Sequence, residues 1–128
     1  MTEPPLLRKL LISATDPDVR LWRNVSSQCW VGRFVLKATE VRRVTLAPGD
    51  VVLRGGVSIR AGLCEGSSDL VGIVGPHGRF VGAEVKTKGV VIEDHQRRWL
   101  EVVRELGGVA GEVRTESDLK ALIEEAKG

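Results

Sequence analysis

The stretch Leu70-Val71-Gly72-Ile73-Val74-Gly75-Pro76-His77-Gly78-Arg79-Phe80-Val81-Gly82-Ala83-Glu84-Val85-Lys86 decides the fold. An apolar β-branched run, a Gly-Pro-His-Gly turn and a second alternating run predict a β-hairpin. Side chains alternate along an extended chain, so Phe80, Gly82, Glu84 and Lys86 share one face, and Val81, Ala83 and Val85 share the other. An acid and a base therefore stand on a strand whose opposite face is core. With Gly75 to Gly78 as the loop, Val74 pairs with Arg79, and counting outward pair by pair brings Asp69 opposite Glu84. Like charges so placed have Cβ atoms about 4.5–5.5 Å apart and repel.

Working outward, Thr87-Lys88-Gly89 leads into a helix expected from about Glu93 to Leu106, with Ile92, Trp99, Leu100, Val103 and Leu106 on its apolar stripe. Gly107-Gly108 ends it. Val109 to Arg114 reads as a strand, and Thr115-Glu116-Ser117-Asp118 caps a last amphipathic helix. Strand, helix and strand from residue 79 to 114 imply a right-handed crossover between parallel strands. Upstream, Pro4-Pro5 opens a short helix carrying Leu6, Leu7, Leu10 and Leu11, broken after Ala14 by Thr15-Asp16-Pro17-Asp18. Between Val19 and Arg60, alternation at Cys29–Val35 and Val51–Arg54 predicts two or three strands of unassigned register. The class is α/β, with a mixed sheet flanked by helices in the order α-β-β-β-α-β and a C-terminal helix.

A chain of 128 residues with 28% charged side chains suits a single domain, 1–128. No membrane span and no secretory signal is legible, so a cytoplasmic location is expected. Cys29 and Cys64 have no metal-ligand spacing and read as buried or half-buried thiols, and no small-molecule cofactor is indicated. Net charge is +2, but residues 1–60 hold ten basic against five acidic side chains, while 61–128 hold nine against twelve. A basic half is compatible with a polyanion partner, although a solvated charged surface is the commoner origin of such an imbalance.

Two opposed carboxylates want a cation between them. A hard divalent ion such as Mg²⁺ takes oxygen ligands and uses one or two carboxylates. Lys86 lies on the same face, close enough to stabilise charge developing on a phosphoryl group. Glu-x-Lys is also common on exposed strands, and a register slip of one residue would separate the acids. Gln96 adds a third element, a polar side chain on the helix stripe four residues from both Ile92 and Leu100.

Gly66-Ser67-Ser68-Asp69-Leu70-Val71-Gly72, Glu84-Val85-Lys86 and Gln96, with Arg23-Asn24 upstream and Gly107-Gly108-Val109-Ala110 downstream, resemble the virus-type replication-repair nuclease (VRR-NUC) domain. This domain belongs to the PD-(D/E)XK superfamily, and the resemblance runs from about Leu21 to Val113, in the manner of stand-alone bacteriophage members. It implies that Asp69, Glu84 and the backbone carbonyl of Val85 hold Mg²⁺ or Mn²⁺, that Lys86 is the catalytic lysine, and that Gln96 is the helix glutamine beside the attacked phosphate. An acid from the first helix is common in the superfamily; Leu6 to Ala14 offers none, which leaves Glu3 as the nearest candidate. The resemblance further implies an endonuclease acting on branched or structured DNA, like the homodimeric Holliday-junction resolvases.

Phosphate contacts would come from Arg20, Arg23, Asn24, Arg42, Arg43, Arg60 and Lys88, of which Arg23-Asn24 belongs to the family pattern. Ser67 and Ser68 either hydrogen-bond a phosphate or cap their own turn. Trp22, Trp30 and Trp99 read as core or dimer-interface residues, and residues 25–60 as a dimer surface, a DNA clamp or both. The competing reading is a non-catalytic DNA-binding or assembly module on the same fold.

Overall fold

The computed structural model describes residues 5–14, 16–32 and 39–128, apart from the Ser13 side chain. In chain order it contains α1 (Pro5–Ser13), β1 (Val19–Arg23), β2 (Ser27–Val31), β3 (Val57–Ala61), β4 (Leu70–Val74), β5 (Arg79–Val85), α2 (Asp94–Glu105), β6 (Val109–Val113) and α3 (Glu116–Lys127). Residues 1–26 and 62–128 form one compact unit, and residues 27–61 form a second.

The larger unit is built on a four-stranded sheet in the order β1-β4-β5-β6. Leu70–Val74 and Arg79–Val85 close the hairpin in the expected register, from Val74 opposite Arg79 to Leu70 opposite Ala83. β1 runs antiparallel to β4 on its other edge. The crossover through α2 makes β6 parallel to β5, with Glu84 beside Glu112. The mixed α/β architecture therefore has the expected element order, with β2 and β3 interposed between β1 and β4.

Alternation sorts the sheet into two faces. Val19, Leu70, Val74, Val81, Ala83, Val109 and Val113 meet Leu7 and Leu10 of α1 and Leu119, Ile123 and Ala126 of α3 in one core. Each fully buried Leu or Val there contributes about 1.5–3 kcal/mol. On the opposite face α2 packs over β5 and β6. Trp99 lies edge-on to Phe80, ring centres 6.2 Å apart. A Cβ on Gly82 would fall 2.6 Å from the Trp99 ring, so only glycine admits the indole at this distance.

The smaller unit is a ribbon of β2 and β3, pairing Ser27 with Ala61 through Val31 with Val57. Val51–Arg54, expected as a strand, is turn and loop with a single bridge at Leu53. Asp50 closes a turn onto Ala47 just before it and Gly55, at φ +65°, turns the chain just after, leaving little length for a ladder. Two further expectations shift. Leu106 is 83% exposed because it caps α2 rather than continuing its stripe. Trp22 and Trp30, expected as core or dimer-interface residues, are not in the core of the chain, and Cys64, expected buried or half-buried, is exposed.

Candidate active site

The C-terminal ends of β1, β5 and β6 and the N-terminal end of β4 lie together at one end of the sheet. One step beyond the Leu70–Ala83 pair, Asp69 faces Glu84 across the hairpin. The Asp69 carbonyl accepts from the Asn24 N–H at 2.7 Å, and Asp69 Oδ2 accepts from the Val85 N–H at 2.9 Å. The N–H and C=O of one strand residue point toward the same neighbouring strand, so the Val85 carbonyl lies on the Asp69 side of β5.

Glu84 is only 2% exposed. Its Oε1 accepts from Gln96 Nε2 at 2.9 Å and lies 3.6 Å from Lys86 Nζ. Its Oε2 is buried with no hydrogen-bond partner. Burial first, then the Asp69 carboxylate beside it, pushes the Glu84 carboxyl up to about 8 from an ordinary 4.5, against the opposing pull of Lys86. Gln96 is fixed from both ends, since its Oε1 accepts from the Glu93 N–H that opens α2. A glutamine here serves the helix start and the carboxylate together.

The loop before Asp69 is braced from inside. Asn24 donates through Nδ2 to Ser67 Oγ at 2.7 Å and to the Ser68 carbonyl at 2.9 Å, and its Oδ1 accepts from the Leu63 N–H. Ser67 Oγ donates to the Cys64 carbonyl, and Ser68 Oγ donates to the Leu70 carbonyl. All three side chains are buried and turned inward. Ser67 and Ser68 make the hydrogen bonds of a turn cap, and Asn24, expected to contact phosphate, braces the loop that carries Asp69. Gly66, at φ +86°, lets this loop touch the first turn of α2, where a Cβ would sit 2.6 Å from the His95 carbonyl oxygen.

The expected phosphate contacts divide by place. Arg23 pairs with Leu70 at the same sheet end as Asp69. Lys88 is exposed in the turn after Lys86. Arg20 shares Glu84's face but lies toward the far end, opposite Ile73. Arg42, Arg43 and Arg60 belong to the 27–61 unit. Glu3 lies outside the described residues. Sequence reasoning missed Arg114, whose guanidinium donates to the Thr87 carbonyl at 2.7 Å and the Val90 carbonyl at 2.5 Å and pairs with Glu112. It ties down the connection between Lys86 and α2. Its position one residue past β6, level with the end of β5, was the available signal.

Asp69, Glu84, Lys86, Gln96 and Arg114 fall within residues 56–116, which match the family model of the VRR-NUC domain, and Asn24 lies outside that span. The chain carries a VRR-NUC domain. The match implies a nuclease of the PD-(D/E)XK type, a hydrolase with DNA as its substrate. No curated protein matches the chain.

Nucleases of this type generally use divalent metals. Among the described residues no group of three or more His, Cys, Asp and Glu side chains gathers into a metal cage. The VRR-NUC site nonetheless fits a hard ion: two opposed carboxylates and a carbonyl are all oxygen donors, and the buried Glu84 Oε2 lacks a partner that a cation would supply. Glu112, next to Glu84 in the sheet, is committed to Arg114.

Proposed function

We infer that this VRR-NUC protein is an endonuclease that cuts phosphodiester bonds in branched or structured DNA, Holliday junctions among its substrates, with Mg²⁺ or Mn²⁺ held by Asp69, Glu84 and the Val85 carbonyl. The observation that carries this reading is the Glu84 carboxylate: one oxygen shared by Lys86 and Gln96, the other buried beside Asp69 without a partner. A divalent ion in this position supplies positive charge to the attacked phosphate and lowers the pKa of water.

The chain's own residues do the rest. The Val85 N–H occupies one oxygen of Asp69 and leaves the other for a ligand. Gln96 fixes the rotation of the Glu84 carboxylate, so the oxygen without a protein partner keeps its direction. Lys86 Nζ, with its side chain 14% exposed, is placed to donate a hydrogen bond to a phosphoryl oxygen or an attacking water at the rim. A two-fold pair of copies would carry two identical sites and suit symmetric incision of a junction.

The test is incubation of the purified chain with a four-way junction, a flap and a linear duplex, each in Mg²⁺, Mn²⁺ and EDTA. Cleavage of the branched substrates that stops in EDTA is the expected result. Binding without cleavage in every metal would identify a non-catalytic module instead.

A further inference from the structure

α2 packs over β5 and β6, and Ile73 on β4 and Trp22 on β1, which share the Glu84 face, are 46% and 53% exposed. Trp22 pairs with Val71, which pairs with Gly82, two residues before Glu84 on β5. With strands about 4.8 Å apart and a rise of about 3.3 Å per residue, the Trp22 and Glu84 Cα atoms are roughly 12 Å apart, with Gly82 between them under the Trp99 ring. That is the span of three to four base steps at about 3.4 Å each. Arg20 stands next along this face, its Nη1 held by the Val19 carbonyl at 2.8 Å and the Pro17 carbonyl at 3.3 Å. A large exposed indole beside a fixed guanidinium, continuous with a nuclease site, matches the chemistry of an unstacked base followed by a phosphate.

We propose that Trp22 is a stacking platform for an unpaired base of branched DNA, with Arg20 contacting the phosphate that follows. The occupant is a DNA strand rather than a second copy of the chain, because the apolar patch adjoins the carboxylate pair and is edged by a cation. A base held on Trp22 sets how far from a branch the strand enters the Asp69–Glu84 site. The proposal rests on the nuclease reading above and makes branch selectivity a property of this sheet face.

The experiment measures binding of a labelled flap and a labelled blunt duplex to the full chain in EDTA, for wild type, Trp22→Ala, Trp22→Phe and Arg20→Ala, alongside gel filtration. Trp22→Ala is expected to weaken flap binding about five- to hundredfold, as loss of one stacked base does, and duplex binding by less than about twofold. Trp22→Phe should recover most of the loss, because a phenyl ring keeps a π face. Arg20→Ala should lower the salt dependence of flap binding by about one counterion. Equal flap affinity in wild type and Trp22→Ala overturns the platform, as does equal loss on flap and duplex, or a change from dimer to monomer that accounts for the loss. Wild-type cleavage in Mg²⁺ is scored separately. A selective Trp22→Ala defect in a wild type that cuts nothing would sink the nuclease reading and leave the platform standing; unchanged binding in a cutting enzyme would do the reverse.

Discussion

Asp69 accepts a 2.9 Å hydrogen bond from the backbone N–H of Val85, the residue after the carboxylate it opposes. One bond thereby ties the loop acid to the strand that carries Glu84. The fold spends a network on keeping these two carboxylates together: Asn24 and Ser67 stiffen the loop, and Gln96 and Lys86 hold the partner. A fold that needed only stability would not oppose two acids in a half-buried pair. The arrangement makes sense when something positively charged enters between them.

Removing one carboxylate should therefore separate activity from stability. Asp69→Asn keeps the shape and relieves the repulsion, so cleavage is expected to fall at least about hundredfold while the melting temperature holds or rises. Full activity in this variant would remove Asp69 from the site.

The Glu84 carboxyl is raised to about 8 from 4.5, by burial first and by Asp69 second. Between those values the folded chain retains a proton that the unfolded chain has released. Stability of the metal-free protein from this group is thus greatest below about pH 4.5 and declines as pH rises toward about 8. Glu84→Gln should flatten that decline in denaturant titrations and stabilise the chain near pH 8 by about 1–3 kcal/mol. Identical pH slopes in the two proteins would show that Glu84 is not the buried acid described. By the same linkage, Mn²⁺ binding near pH 7 should release close to one proton, read by calorimetry in buffers of different ionisation enthalpy.

The hairpin and its consequences were legible because they are local. Alternation in β4 and β5 with a four-residue turn fixes the register, and the register fixes Asp69 against Glu84. The capping sequence at Thr115 and the glycines after α2 mark helix ends in the same local way. Non-local placements were not readable. β1 joins β4 across the whole 27–61 segment, and no short-range pattern sets that pairing. Whether Asn24, Ser67 and Ser68 turn in or out depends on that same long-range contact. Exposure of Trp22 follows from where α2 lies on the sheet, which the helix sequence does not encode.

Arg114 bridges the carbonyls of Thr87 and Val90 and so governs the segment that joins Lys86 to α2. Arg114→Ala removes the side-chain donor from the Val90 carbonyl, leaves the Thr87 carbonyl with the Val90 N–H alone, and frees Glu112 beside Glu84. Cleavage is expected to fall about tenfold or more, with kcat affected more than KM. Arg114→Lys, which can reach only one carbonyl well, should recover part of it. An unchanged rate in Arg114→Ala would mean the connection holds itself in place.

Gly82 tests whether helix position matters to the chemistry. A Cβ there would approach the Trp99 ring at 2.6 Å and Ser68 Oγ at 2.9 Å, so Gly82→Ala must push α2 outward or move the Asp69 loop. Overpacking of this kind costs about 1–3 kcal/mol. Because Gln96 rides on α2 and hydrogen-bonds Glu84 at 2.9 Å, the same displacement should weaken that bond. Gly82→Ala is therefore expected to lose activity at temperatures where it remains folded. Pairing it with Trp99→Leu, which clears space for the new methyl, should return both stability and cleavage in part. Restored stability without restored cleavage would show that α2 position and catalysis are separable.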